Sequence, residues 1–159
     1  MSPDAPVLHE SWVAEDGSSQ TNVTNHEQSG FGDLDAGFAA ADLVLEREFR
    51  TKTVHQGYIE PQNGTAWWTA DGKLTIWCSS QGHFSVRDNV ARLLGIPVSS
   101  VKVVPMEIGG GFGGKLSVYL EPIAAVLSKK SGYPVKLTMD RTEVLEASGP
   151  TAGSYMKMK

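Results

Sequence analysis

Residues 95–115 read GIPVSSVKVVPMEIGGGFGGK. Gly95 before Ile96-Pro97 is a helix stop, because glycine takes the left-handed backbone that closes a helix and proline cannot continue one. Val101 to Val104 is a short β-branched run suited to a strand. Five glycines then fall in seven residues, Gly109-Gly110-Gly111-Phe112-Gly113-Gly114-Lys115. A loop of this kind costs conformational entropy, so the backbone there approaches something closely or takes angles that other residues avoid. Helix, strand and glycine loop in direct succession point to a mixed fold.

Val86, Val90, Leu93 and Leu94 recur at helical spacing between Phe84 and Leu94. Gly64 to Thr69 and Leu74 to Cys78 flank Ala70-Asp71-Gly72-Lys73, whose Asp-Gly pair tolerates the positive φ of a tight turn and predicts a hairpin. Further upstream, a short helix is expected from Leu34 to Ala41, then a half-buried strand carrying Leu43, Leu45 and Phe49. Downstream, a second helix runs through Leu120, Ala124 and Leu127 and closes at Lys129-Lys130-Ser131-Gly132, with bases where the helix dipole favours them. Pro134 to Met139 is the last expected strand. The prediction is an α+β fold: a mixed β-sheet with about two packed helices.

Charge and composition remove several function classes. Residues 1–40 hold seven acids and no Lys or Arg, and residues 41–159 hold eleven acids and fourteen bases, so the two parts carry −7 and +3. The bases are scattered, with only Lys129 and Lys130 adjacent, which argues against a nucleic acid groove. No apolar run approaches the ~20 residues of a membrane span, and MSPDAPVLHE has none of the regions of a signal peptide. A cytoplasmic protein is expected, and the sequons at Asn22 and Asn63 are read as chance. The single cysteine, Cys78, excludes an internal disulfide and a cysteine-built metal site. Residues 1–40, acidic and rich in Ser, Asn, Gln and Gly, read as a linker or the end of a preceding domain, with the main domain over 41–159.

The glycine loop admits more than one chemistry. Gly109, Gly111 and Gly114 satisfy G-x-G-x-x-G, and Asp140 sits where a ribose-binding acid would follow. However, Pro105-Met106-Glu107-Ile108 separates strand from loop, and Pro122 disturbs the start of the following helix. The run from Gly109 to Gly114-Lys115 also matches most of a phosphate-binding P-loop, but Leu116 stands where that motif needs Ser or Thr for Mg²⁺. A small nucleotide-binding module using this loop as a phosphate cradle is therefore the alternative reading, and a plain flexible turn is a third.

Five blocks in order carry a stronger signal: VHQGYIEPQNGTAWW, the Asp-Gly hairpin, SSQGHF, GIPVSSVKVVPMEIGGGFGGK and GYPVKLTMDRTE. Together they resemble the molybdenum-cofactor-binding large subunit of the xanthine dehydrogenase, aldehyde oxidase and carbon monoxide dehydrogenase family, over about Ala41 to Glu146. The resemblance implies a fragment of a molybdopterin-binding domain, with molybdenum–molybdopterin, the cytosine dinucleotide form included, bound in the full-length enzyme and none held by the isolated chain. It implies as partners the remainder of the large subunit and iron–sulfur and FAD subunits or domains, and a homodimer as a further option.

Residue by residue, Gln81 matches the glutamine whose amide lies beside an oxo group on the metal, and Gly111, Phe112 and Gly113 match the loop against the cofactor. Taken alone, Gln81 reads first as a polar cap of the following helix, and Phe112 reads as a hydrophobic plug. No residue here matches the family's catalytic glutamate, neither Glu107, Glu121, Glu143 nor Glu146. That base lies downstream in the family, so the chain alone is expected to be inactive. Purine-oxidising members place a glutamate where this chain has Leu116, which shifts the expected substrate toward an aldehyde, an aromatic heterocycle or carbon monoxide. Tyr58, Glu60 and Pro61 match a further block and read as structural, the carboxylate capping a turn or pairing with a nearby base. His55 and His83 lack partners at ligand spacing. Trp67 and Trp68 face opposite sides of a strand, and Arg141 with Glu143 suggests a local salt bridge.

Overall fold

The computed structural model describes residues 5–9, 11 and 22–159, which divide into two compact units, 1–45 and 46–159. In the first, α1 (Leu34–Ala40) begins where the Asp33 side chain accepts from the Ala36 amide at 2.9 Å. None of its residues is buried. The helix is held by its cap and local bonds rather than by an apolar face. The upstream stretch 12–21 of the acidic segment lies outside the described residues.

The second unit is built on a four-stranded sheet of β2 (Asn63–Trp68), β3 (Leu74–Cys78), β4 (Val101–Pro105) and β5 (Val135–Thr138), in the order β4-β3-β2-β5. The hairpin forms as the Asp-Gly turn predicts: Gly72 has φ +82°, and the Thr69 amide donates to the Lys73 carbonyl at 2.8 Å. β3 and β4 are parallel, so the chain needs a crossover between them, and α2 (His83–Leu94) supplies it. Gly95 closes α2 in the left-handed conformation, φ 64°. α3 (Glu121–Ser131) lies beside α2, and both pack on the sheet.

Alternation along the strands sorts residues between faces. Ala66, Leu74, Ile76 and Cys78 point into a core completed by Val86, Val90 and Ala91 of α2, Val101 of β4 and Ala124 and Ala125 of α3. The small residues Ala66, Ala124 and Ala125 allow α3 to sit close to β2. Ser128 of α3, fully buried, accepts from the Trp68 amide and donates to the Tyr133 carbonyl, tying helix, strand and following turn together. Trp68 packs against this core under Lys129, while Trp67 on the opposite face is 43% exposed.

Three expectations need correction. The strand near Phe49 is shorter and exposed: β1 (Arg47–Arg50) excludes Leu43 and Leu45 and pairs antiparallel with β6 (Tyr155–Met158), which the sequence reading missed. Neither strand of this two-stranded ribbon buries a face, so the apolar alternation there reports no core. The second correction concerns Pro122. It occupies the first turn of α3, where its missing N–H would have had no partner, so it starts that helix rather than disturbing it. Third, α4 (Arg141–Ala147) was not foreseen, and Arg141 and Glu143 do not form a salt bridge. Asp140 and Glu143 make a reciprocal capping box, and Arg141 donates to the carbonyls of Tyr58 and Ile59.

Candidate functional site

The structure brings Gln81 and the glycine loop together. Gln81 leaves β3 just before α2, while the loop leaves β4, the parallel neighbour of β3, so the two segments emerge from the same end of adjacent strands. The Gln81 amide donates to the Lys115 carbonyl at 2.9 Å. Its side-chain Oε1 accepts from the amides of Gly113 at 3.0 Å and Lys115 at 3.2 Å. Both partners are backbone donors, which fixes the amide's orientation: oxygen toward the loop, Nε2 away from it. Nε2 has no hydrogen-bond partner among the described residues, and the side chain is exposed. Gln81 does not cap α2, whose N-cap is Gly82 with no side-chain bond.

Close approach explains the glycines. A Cβ on Gly111 would stand 2.5 Å from Gln81 Oε1, and one on Gly114 2.6 Å from Tyr58 Cε1. Gly111 thus lets the glutamine lie on the loop, and Gly114 lets the loop lie on Tyr58. Between them, Phe112 holds a positive φ of 50°, a conformation costing a non-glycine residue about 1–2 kcal/mol, with its ring 73% exposed. A strained backbone that presents an aromatic residue to solvent marks this loop as a candidate site.

Beneath the loop lies a buried polar layer. Lys115, with its side chain 1% exposed, reaches Glu60 Oε2 at 2.6 Å and lies over the Tyr58 ring. Burial works to raise the Glu60 pKa. Hydrogen bonds from Lys115, Gly109 and Asn63 outweigh that effect and hold the carboxyl below its ordinary value. The Tyr58 hydroxyl bonds Ser148 and Gln62, and Ser148 in turn bonds His55 Nε2. His55 is therefore a structural tie between its own loop and the end of α4. His83 is half-buried, and its Nε2 has no partner among the described residues. Among the described residues no three of His, Cys, Asp and Glu gather to hold a metal ion. Burial, with the Glu121 carboxylate adding to it, pushes the Cys78 thiol up to about 12, so it is no nucleophile.

The phosphate-cradle alternative fails on this geometry. The loop does not open a helix, because α3 begins only at Glu121. The cation that a P-loop would offer to phosphate is the Lys115 ammonium, and it is buried against Glu60. Asp140 caps α4 instead of facing a ribose. Two of the three fingerprint glycines serve contacts with Gln81 and Tyr58.

The sequence profile of the molybdopterin cofactor-binding domain matches residues 15–159. The chain belongs to this family. It is 32% identical to the nicotinate dehydrogenase large molybdopterin subunit of Eubacterium barkeri, over 90% of this chain and 32% of that protein. It is 34% identical to the carbon monoxide dehydrogenase large chain of Hydrogenophaga pseudoflava, over 90% of this chain and 19% of that one. Among solved structures, the carbon monoxide dehydrogenase of Oligotropha carboxidovorans superposes with a TM-score of 0.60 at 33% identity, over 74% of this chain and 15% of that one. The chain thus spans a third or less of the length of these relatives. The α+β reading of a molybdopterin-binding domain fragment holds, and no described helix is long and apolar enough to cross a membrane.

Glu60 and Lys115 were not singled out as a pair from sequence. The available signal was a lysine ending the glycine run and a carboxylate before Pro61, and nothing local links residues 55 apart.

Proposed function

We propose that this chain forms one wall of the cofactor site in the large subunit of a molybdenum hydroxylase, with Gln81, Gly111, Phe112 and Gly113 as the cofactor-facing residues. The observation that carries the reading is the Gln81 amide, its oxygen occupied by two loop N–H groups and its Nε2 donors free. When bound, molybdenum–molybdopterin supplies the two-electron chemistry by which water-derived oxygen enters a substrate C–H bond, or by which carbon monoxide is oxidised.

The residues present fit such a group. A Cβ on Gly113 would meet nothing within 4 Å, so open space lies against the loop backbone where a flat ligand can approach. Gln81 Nε2 offers a neutral donor, which orients and polarises a ligand without changing net charge. Phe112 borders the substrate side. Leu116, half exposed beside Gly82, gives that border an apolar group with no hydrogen bond to offer a purine. An aldehyde, an aromatic heterocycle or carbon monoxide is the substrate class this favours. Iron–sulfur and FAD partners, the remainder of the large subunit, the cytosine dinucleotide form of the cofactor and a cytoplasmic setting complete the proposal.

The test is calorimetric titration of the chain with molybdopterin released from a donor enzyme, and in parallel with ATP and NAD. One wall retains no cofactor through purification but gives weak pterin binding on titration, which Gln81→Ala and Gly113→Val abolish, with no nucleotide binding. Micromolar ATP or NAD binding that vanishes in Gly111→Val would overturn the reading.

A further inference from the structure

The glycine loop is fastened at both ends by one carboxylate. Glu60 Oε2 accepts from the Gly109 amide at 2.7 Å, where the loop begins, and from Lys115 Nζ at 2.6 Å, where it ends. The Glu60 amide adds a bond to the Gly109 carbonyl at 3.3 Å. Glu60 is itself fixed by Asn63 Nδ2 on Oε1 at 3.1 Å, and Asn63 is the first residue of β2. A rigid strand thus holds the carboxylate, and the carboxylate holds the loop.

Nothing in the packing of the core requires this. Lys115 is among the largest fully buried side chains, and a buried ammonium is costly unless paired. An apolar side chain would fill the same place at lower cost. What the ion pair adds is a fixed position for the Lys115 backbone, and that backbone also holds Gln81. The Lys115 amide donates to Gln81 Oε1, and the Lys115 carbonyl accepts from both the Gln81 amide and the Ser80 hydroxyl. The chain of contacts is therefore Asn63, Glu60, Lys115, Gln81.

We propose that Glu60 is a positioning residue: clamped between the Gly109 amide and the Lys115 ammonium, it closes the glycine loop and thereby sets the Gln81 side chain with Nε2 facing outward. The inference rests on the reading that Gln81 faces the cofactor, but its test needs no cofactor, so the two stand or fall separately.

The experiment compares the full chain with Glu60→Gln and with Glu60→Gln/Lys115→Met, by thermal melting and by NMR amide exchange. The single variant leaves Lys115 without its counter-charge and lowers the melting temperature. The double variant removes both charges, so its melting temperature returns toward the wild-type value. Exchange at the amides of Gly109, Gly113 and position 115 nevertheless stays about tenfold or more faster than in the wild type, the change expected from losing about 1.4 kcal/mol of local closure. The Gln81 Nε2 protons, held in one orientation in the wild type, move in the double variant toward the chemical shifts of an unconstrained glutamine. A double variant that regains its melting temperature together with native exchange at Gly113 and Lys115 would show the pair to be structural only, and the proposal would fall.

Discussion

Replacing Gly111 by alanine tests the contact on which the site's geometry turns. The added methyl carbon would lie 2.5 Å from Gln81 Oε1 and 2.7 Å from its Cδ, against the 3.4 Å or more of ordinary contact. The obstructing atoms belong to a side chain rather than to backbone, so the loop keeps its path and Gln81 gives way. A displacement of about 1 Å lengthens the bonds from the Gly113 and Lys115 amides, now 3.0 and 3.2 Å, beyond useful range. Two hydrogen bonds at about 1 kcal/mol each come to about 2 kcal/mol. Alanine restricts the unfolded chain and returns about 0.4–1 kcal/mol, since Gly111 is not among the positive-φ glycines. The net cost is about 1–1.5 kcal/mol, a fall in melting temperature of about 4–6 °C for a unit of this size. The decisive readout is local: amide exchange at Gly113 and Lys115 accelerates while Val86 and Val90 in the core keep their protection. Gly111→Ala with native melting and native protection at both loop amides would refute the argument that Gln81 lies on the loop.

Two further outcomes follow from ionisation. Glu60 has its folded-state pKa below the unfolded value of 4.5, so its contribution to stability is fully present above that value and disappears as pH falls through the lower, folded value. Its facing groups are Lys115 Nζ, Asn63 Nδ2 and the Gly109 amide, and only Lys115 carries charge. Acid titration of the melting temperature should therefore be flatter below pH 4.5 in Glu60→Gln than in the wild type, and parallel curves would contradict it. Cys78, buried with its thiol raised to about 12, should not react with a thiol reagent at pH 8 until urea unfolds the chain; prompt labelling of native protein would show the core to be open.

The legible parts of the fold were those written in short segments. Asp71-Gly72 fixes the hairpin, and Val86 and Val90 with Gly95 fix α2, because turn chemistry and helical period act between near neighbours. α4 carried a readable signal in Asp140 and Glu143, three apart, but its single buried residue, Val144, gives no periodicity to support it. The pairing of β1 with β6 was out of reach, since the strands are a hundred residues apart and bury nothing. At the site, Gln81 and the loop were picked out by resemblance, yet the contacts that orient them were not. Lys115 looked like a phosphate ligand until its burial against Glu60 was visible, because a lysine's role depends on which counter-charge folding delivers to it.

The exposed ribbon of β1 and β6 has a topological meaning. Arg47 pairs with Met158 and Arg50 with Tyr155, and Lys159 Nζ reaches Glu46 at 3.2 Å. The ribbon thus brings residues 46–50 and 155–159, far apart in sequence, to one place. Two strands that pair only with each other and bury no face are held by their backbone bonds and cross-strand contacts alone, so this ribbon is the part of the second unit that opens first.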